Sequence, residues 1–304
     1  MAKVNILMNC YNGAHFLADS LGSVAAQTFD DYEVVFIDNC STDNTEEVAK
    51  SFGPKIRYYK TPRFMSLCEA RVWGMQFVNC EYFSMLDVDD MILPTKLEEQ
   101  VRVLDTHPEV GIVYANSVFF SDKGEEFLLY KETMPSGNIF KKMLSNYFLS
   151  LETLMARKSV MDKFGLSINP KYNIISDAEL YIKLSYYADA YYIDKPLAKW
   201  RMGTASESSK QFESFPREYE ILISDLEQMI PDFRQTYSSE LRNLEGIIQN
   251  MSGLASWKKG HLKEARSKLK TAFQIKKSYF VPYFFSFFVS FEFYMKLRRG
   301  LKRY

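Results

Sequence analysis

The sequence predicts an α/β protein with a largely parallel sheet, followed by a helical appendage. Through the first two thirds of the chain, short apolar runs alternate with amphipathic stretches, as in successive βαβ units. Runs such as Val34–Ile37 have no polar interruption, which suits strands buried on both faces. Beyond the small polar run MGTASESSKQ only helical patterns remain, broken near Pro231 and Gly260. The expected division is residues 1–208 for the α/β domain and 209–304 for the helical region.

The elements follow in order. KVNILMN is a first strand, and LADSLGSVAAQ a helix with Leu17, Leu21, Val24 and Ala25 on one face. YEVVFID is the second strand. Asp43 and Glu46 have capping-box spacing ahead of the next helix. IRYYKT is a third strand, and Ser66 with Glu69 caps the helix SLCEARVWGMQFV, whose inner face takes Trp73 or Gly74. YFSML is the fourth strand. Pro94 suits the first turn of PTKLEEQVRVLDTH. Then come a strand (GIVYANSVFF), a helix (NIFKKMLSNYFL), a strand turning into a helix (TLMARKSVMDKFG) and a helix opened by Ser176 (ISDAELYIKLSYYA). Two short strands, AYYID and PLAKWR, finish the domain. GHLKEARSKLKTAFQI resembles half of a helical-hairpin repeat, and a single copy reads as part of an ordinary appendage.

Composition removes several classes of function. The 38 basic and 38 acidic residues cancel, so no overall field draws the chain to nucleic acid. The four cysteines (10, 40, 68 and 80) form no CxxC pair and read as free thiols of a reducing compartment. His15, His107 and His261 stand at no metal-binding spacing and read as surface or cap residues. MAKVNILMNC has a strand pattern without a secretory leader, and no apolar run is long enough to span a bilayer, so a cytoplasmic location is expected.

Chemistry concentrates at the strand ends. FSMLDVDDMI finishes a buried strand with Asp87, Asp89 and Asp90, far more negative charge than a turn requires. Asn9–Gly13 and Asp38–Asp43 follow the first two strands. In open α/β sheets such loops converge on one ligand crevice. GxGxxG and GxxxxGK[ST] are both missing, so phosphate would need another partner. A Mg²⁺ or Mn²⁺ ion shared between an Asp-x-Asp carboxylate and a diphosphate meets that need, because such ions sit on one or two carboxylates plus substrate phosphates.

Six segments then resemble, in order, the inverting family-two nucleotide-sugar glycosyltransferases of the GT-A fold, of the type that builds bacterial surface polysaccharide. They are ILMNCYN, VVFIDNCSTDNT, EARVWGM, FSMLDVDD, SDAELYIKL and PLAKWRMGTASES. The resemblance implies a mostly parallel Rossmann-like sheet flanked by helices, a nucleotide-sugar donor, most simply UDP-linked, and a saccharide or lipid-linked saccharide acceptor. It implies that Asn9 and Tyr11 meet the nucleotide and that Asp38 and Asn39 lie near the base. Arg71 then reaches the nucleotide or its phosphates, Asp87 the ribose or donor sugar, and Asp89 the metal. Asp177 takes the place of the catalytic base. Its position at a helix start predicts a lowered pKa that keeps it ionised. Departures from the family pattern are Asn39 for Asp, Cys40 for Gly, Trp73 for a smaller residue, Ser176 for an acid and Gly203 for His. With that His missing, Arg201 is the candidate to serve the diphosphate. The rival readings are a non-catalytic nucleotide-sugar or carbohydrate-binding module and a sugar nucleotidyltransferase.

Tyr279–Met295 is dense in Phe and Tyr, and KLRRGLKRY adds five bases and no acid. That pattern suits an interfacial helix on the anionic cytoplasmic leaflet of a membrane. It equally suits a terminal helix packed on the catalytic domain or on a second subunit in a homodimer.

Overall fold

The computed structural model describes residues 1–203 and 211–301. The polar run expected at the domain edge (204–210) and the last two bases, Lys302 and Arg303, lie outside the described residues. The chain divides into two compact units, Met1–Phe140 with Phe148–Thr204, and Lys141–Tyr147 with Ala205–Tyr304.

The first unit is built around β1 (Val4–Cys10), which pairs in parallel with β2 (Tyr32–Asp38) on one side and β4 (Tyr82–Met85) on the other. β3 (Ile56–Lys60) extends the sheet beyond β2. Ile6, Leu7, Met8 and Val34–Ile37 are fully buried, as unbroken apolar strands require, and each contributes about 1.5–3 kcal/mol of transfer free energy. Helices α1 (Ala14–Ala25), α2 (Thr45–Ser51) and α3 (Leu67–Met75) return the chain between strands. α1 buries Leu17, Leu21 and Val24, while Ala25 faces water.

The Ser66–Glu69 capping box is complete. Glu69 N donates to Ser66 Oγ at 3.3 Å and Ser66 N to Glu69 Oε2 at 2.9 Å. The inner face of α3 carries Gly74 rather than Trp73. A Cβ at Gly74 would lie 2.8 Å from both Ile37 Cγ1 and Leu7 Cδ1, so the missing side chain sets how closely α3 approaches β1 and β2.

Beyond β4 the sheet is mixed. β5 (Met91–Ile92) and β7 (Glu126–Leu128) are too short to carry a sequence pattern; β6 (Val110–Phe120) and β8 (Met155–Arg157) fall where expected. AYYID and PLAKWR merge into one strand, β9 (Asp189–Arg201). Its register against β6 slips around Asn116, and Pro196 sits at the slip, where the ladder does not call for its missing N–H. The order is β3-β2-β1-β4-β8-β6-β9-β5, with β7 on β6, nine strands among the described residues. β8 runs antiparallel to β4 and β6, and β9 parallel to β6.

α4 (Lys96–Thr106) begins after Thr95, leaving Pro94 just outside it. α5 (Phe140–Ser145) is shorter than its run suggests, and α6 (Lys158–Lys163) follows β8 directly. α7 (Ser176–Tyr187) takes Ser176 as its first helical residue, buried, instead of as a cap.

The second unit contains α8 (Phe215–Met229), α9 (Phe233–Thr236), α10 (Ser238–Lys258), α11 (Leu262–Ile275), α12 (Phe280–Phe285) and α13 (Phe291–Leu301). α10 and α11 pack along each other. Gly253 allows the close approach, since a Cβ there would meet Leu269 Cγ at 2.7 Å. Their core is Leu254, Trp257, Ala265 and Leu269, closed by Tyr294 of α13. Among the described residues no helix is long and apolar enough to cross a membrane.

Candidate active site

β1, β2 and β4 are parallel, so their carboxyl ends reach one edge and the loops that follow are neighbours. Hydrogen bonds lock the first two loops together. Asn39 N donates to Cys10 O at 2.8 Å, Asn12 N to Ser41 Oγ at 2.9 Å and Thr42 N to Asn12 Oδ1 at 2.7 Å. Asp43 forms no capping box with Glu46. Its carboxylate accepts from Ala14 N at 3.1 Å and from Thr45 N and Oγ1, which ties α2 to the start of α1.

Asn9 ends β1 with its Nδ2 buried and without a hydrogen-bond partner. An unpaired buried donor costs about 1–3 kcal/mol, and a ligand acceptor would recover it. Tyr11 is exposed and meets Phe64 edge to face, ring centroids 4.7 Å apart. Phe64 carries no motif signal, and only the fold brings it to Tyr11.

Asp38 and Asn39 are buried and already engaged. Asp38 accepts from Ser41 N at 2.8 Å and from the Tyr58 hydroxyl. Asn39 Oδ1 accepts from Met65 N at 2.9 Å and Thr61 Oγ1 at 3.3 Å, while its Nδ2 donates to Met65 O at 2.8 Å. The Asn39 side chain and the Asp38 carbonyl, which accepts from Thr61 N at 2.9 Å, brace the loop Thr61–Met65. Cys40 has φ +61°, which explains why glycine is usual there; the strain is of order 1–3 kcal/mol. Its thiol donates to Thr61 O at 3.3 Å.

The acidic cluster is organised by two arginines. Arg71 is buried in α3, and its Nη2 donates to Asp87 Oδ1 at 2.6 Å. Burial works against its charge, but Asp87 and then Asp177 outweigh that and hold its pKa above the usual value. Asp177, in the first turn of α7, therefore feels the same guanidinium as Asp87. Burial pushes the Asp177 carboxyl above the ordinary aspartate range, and Arg71 only partly offsets it. The lowering expected from the helix start is overridden, which makes Asp177 a stronger base than an exposed aspartate.

Arg201, the candidate for the diphosphate, is held among acidic residues beside the same loop. Its Nε donates to Asp89 O at 3.1 Å, Nη2 to Asp19 Oδ2 at 2.7 Å and Nη1 to Asp122 Oδ1, over the rings of Phe16 and Phe120. Its backbone N–H donates to Asp90 Oδ1 at 2.9 Å. Through its backbone N–H and Nε, Arg201 fastens the Asp87–Asp90 loop to the end of β9. Gly203, where the family carries His, is exposed. Trp200 packs on Phe119, ring centroids 4.6 Å apart, and Tyr181 is fully buried.

Beneath the loop lies a polar layer that sequence reasoning missed. Lys96 is buried, donates to Ser84 Oγ at 3.1 Å and Leu154 O at 3.3 Å, and burial lowers its pKa to about 7. Glu152 is buried too and accepts from Ser150 Oγ. Burial pushes both Asp90 and Glu152 upward, helped by the Glu152 charge at Asp90 and by the Asp87 charge at Glu152.

Asp89 remains for a cation. It is partly exposed, and burial and the neighbouring Asp87 charge raise its pKa. A cation would relieve that repulsion, so the donor chemistry fits. Among the described residues no group of three or more His, Cys, Asp or Glu could hold an ion by itself. Substrate oxygens would have to complete the shell, as Mg²⁺ and Mn²⁺ sites on phosphates commonly allow.

Comparison with known proteins gives the family and the fold. Residues 5–165 match the model of glycosyl transferase family 2. A glycosyltransferase of Rickettsia typhi is 27% identical over 229 residues, 73% of this chain and 70% of its own length. A Rickettsia felis glycosyltransferase is 28% identical over 73% of this chain, which spans only 37% of that relative. WfgD of Escherichia coli, a UDP-Glc:α-D-GlcNAc-diphosphoundecaprenol β-1,3-glucosyltransferase, is 23% identical over 72% of this chain and 85% of its own. Two solved structures share the fold. S. aureus TarS 1–349 with UDP has TM-score 0.58 and 18% identity, covering 91% of each chain. A Pyrobaculum calidifontis mannosyltransferase with GDP-Man and Mn²⁺ has TM-score 0.60 and 14% identity, covering 89% of this chain and 75% of the other. A family match across more than half the sequence and the fold shared with these two structures lead to one assignment: the chain has the GT-A fold and belongs to glycosyl transferase family 2.

Proposed function

We propose that the protein transfers a sugar, with inversion, from a UDP-sugar to a saccharide or lipid-linked saccharide acceptor in surface polysaccharide synthesis. The reading places it at the cytoplasmic face of a membrane. One observation carries the chemistry: the buried Arg71 donates to Asp87 at the β4 end, and its charge also acts on Asp177 at the α7 start, so the proposed donor-binding and base residues share one guanidinium's field. The UDP complex of TarS and the lipid-linked acceptor in the name of WfgD support the donor and acceptor classes.

Asn9 Nδ2 offers a hydrogen bond to the nucleotide, and Tyr11 with Phe64 supplies an aromatic face for the base or sugar. Asp38 and Asn39 support that pocket through the loop they brace. Asp87 faces the ribose or donor sugar. Arg71 keeps Asp87 in position and Asp177 ionised. Asp177 accepts the proton of the acceptor hydroxyl as that oxygen bonds the anomeric carbon from the face opposite the nucleotide. The bond to the diphosphate breaks, and its electron pair leaves with UDP. Asp89 would hold a Mn²⁺ or Mg²⁺ ion, which when bound offsets the charge gathering on the leaving diphosphate. One base suffices, since a diphosphate leaves without a proton.

The test is a panel of UDP-, dTDP- and GDP-sugars incubated with Mn²⁺. The expected result is slow release of UDP from one UDP-sugar, faster with a saccharide acceptor and lost on adding EDTA. Turnover unaffected by EDTA, or confined to GDP-sugars, would overturn the reading.

A further inference from the structure

The aromatic C-terminal segment has two faces. Tyr283, Phe285, Val289, Phe291, Tyr294 and Met295 turn inward onto the core of α10 and α11. Phe280, Val281, Phe284, Phe287 and Phe288 turn outward, and Phe288 is 69% exposed. The outward rings are continuous. Phe280 meets Phe284 at 5.6 Å and Phe284 meets Phe288 at 4.9 Å, an i, i+4, i+8 ladder with Phe287 beside it at 6.4 Å. Contiguous apolar surface of this kind marks a site that something covers.

Charge says what covers it. Residues 265–304 hold ten Lys and Arg against the single acid Glu292, in a chain whose total charge is zero. Two of those cations touch the aromatic patch: Arg266 lies 4.5 Å from the Phe287 ring and Lys277 4.7 Å from Phe273, itself 5.3 Å from Phe280. Lys276, Lys296 and Arg298 are exposed on the same segment. A second copy docking through this face would bring like charge against like charge. A nucleic acid would meet the cations but leave the Phe ladder in water.

We infer that the outer face of α12 and the turn after it, Phe280–Phe288, inserts into the interface of an anionic phospholipid bilayer, with Lys276, Lys277, Lys296 and Arg298 on the headgroups. An apolar face entering the acyl boundary beside cations that read the surface potential is the physics of a peripheral anchor. This deepens the membrane placement proposed above. Its test uses neither donor nor acceptor, so the two can fail separately.

The experiment is co-sedimentation of the full chain with vesicles of phosphatidylcholine alone or mixed with phosphatidylglycerol. Binding to the mixed vesicles, weakened by salt, is expected. The double variant Phe284→Ser, Phe288→Ser should bind at least about tenfold more weakly, since each buried ring contributes roughly that factor or more. Lys276→Ser with Lys277→Ser should weaken binding to the mixed vesicles about tenfold or more and leave the residual binding to pure phosphatidylcholine unchanged. These side chains are exposed, so an unchanged melting temperature confirms that the variants fold. Three results would overturn the inference: no sedimentation with either vesicle; capture that follows charge alone, with the Phe variants unaffected; or a concentration-dependent dimer in light scattering that the Phe variants abolish.

Discussion

Asp177→Asn is expected to bind UDP-sugar and metal as the native protein does, yet to transfer sugar about 10²–10⁴-fold more slowly. Asparagine keeps the shape of the side chain and loses only the ability to take a proton. Asp177 lies in the first turn of α7 and is assigned no donor contact of its own, so the change in donor affinity should be small beside the change in rate. The native enzyme should also show an acid limb: activity falls as pH drops through the Asp177 pKa, which burial raises above the ordinary value. The residual activity of the variant should lack that limb. Calorimetric titration with UDP beside initial-rate profiles measures both. Transfer within tenfold of native would remove Asp177 as the base.

Arg71→Met tests how that base is tuned. The guanidinium lowers the Asp177 pKa against burial, so its loss lets the pKa climb. The acid limb of the rate profile should therefore move to higher pH by roughly one unit or more, the usual effect of one close opposite charge. Arg71→Lys keeps the charge and should restore most of the profile, which a purely structural role would not explain. Methionine also leaves Asp87 without its partner. Asp87 is 40% exposed, so water takes over part of the pairing, and the expected loss of stability is about 1–3 kcal/mol. A limb that stays in place would break the link between Arg71 and Asp177.

Particular residues show what the sequence discloses and why. A parallel sheet buried on both faces writes itself as apolar runs, so β1, β2 and β4 were legible, and with them the loops at their ends. The acidic run Asp87–Asp90 stands out because carboxylates concentrated at a strand end break that pattern, whereas Asp177 is singled out only by the family resemblance of its segment. Partnerships were not. Arg201 sits in a segment aligned with the family, but its bonds to Asp19 and Asp122 span 182 and 79 residues, and no local pattern encodes them. Asn39 looks like a ligand-facing side chain until Met65 is seen to occupy both its oxygen and its amide. Lys96 reads as an exposed lysine at a helix start, whereas the chain folds β4 and Leu154 over it. β5 and β7 are too short to show a period, and one slip of register joined two expected strands into β9.

The whole scheme turns on Asp89 presenting a divalent cation to the donor's diphosphate. Anomalous diffraction at the manganese edge, from crystals grown with UDP and Mn²⁺, measures that position directly. One peak roughly 2.1 Å from an Asp89 carboxylate oxygen, and equally close to UDP phosphate oxygens, is the expected result. UDP bound in the crevice with no peak at Asp89, or with the ion held elsewhere, would contradict it.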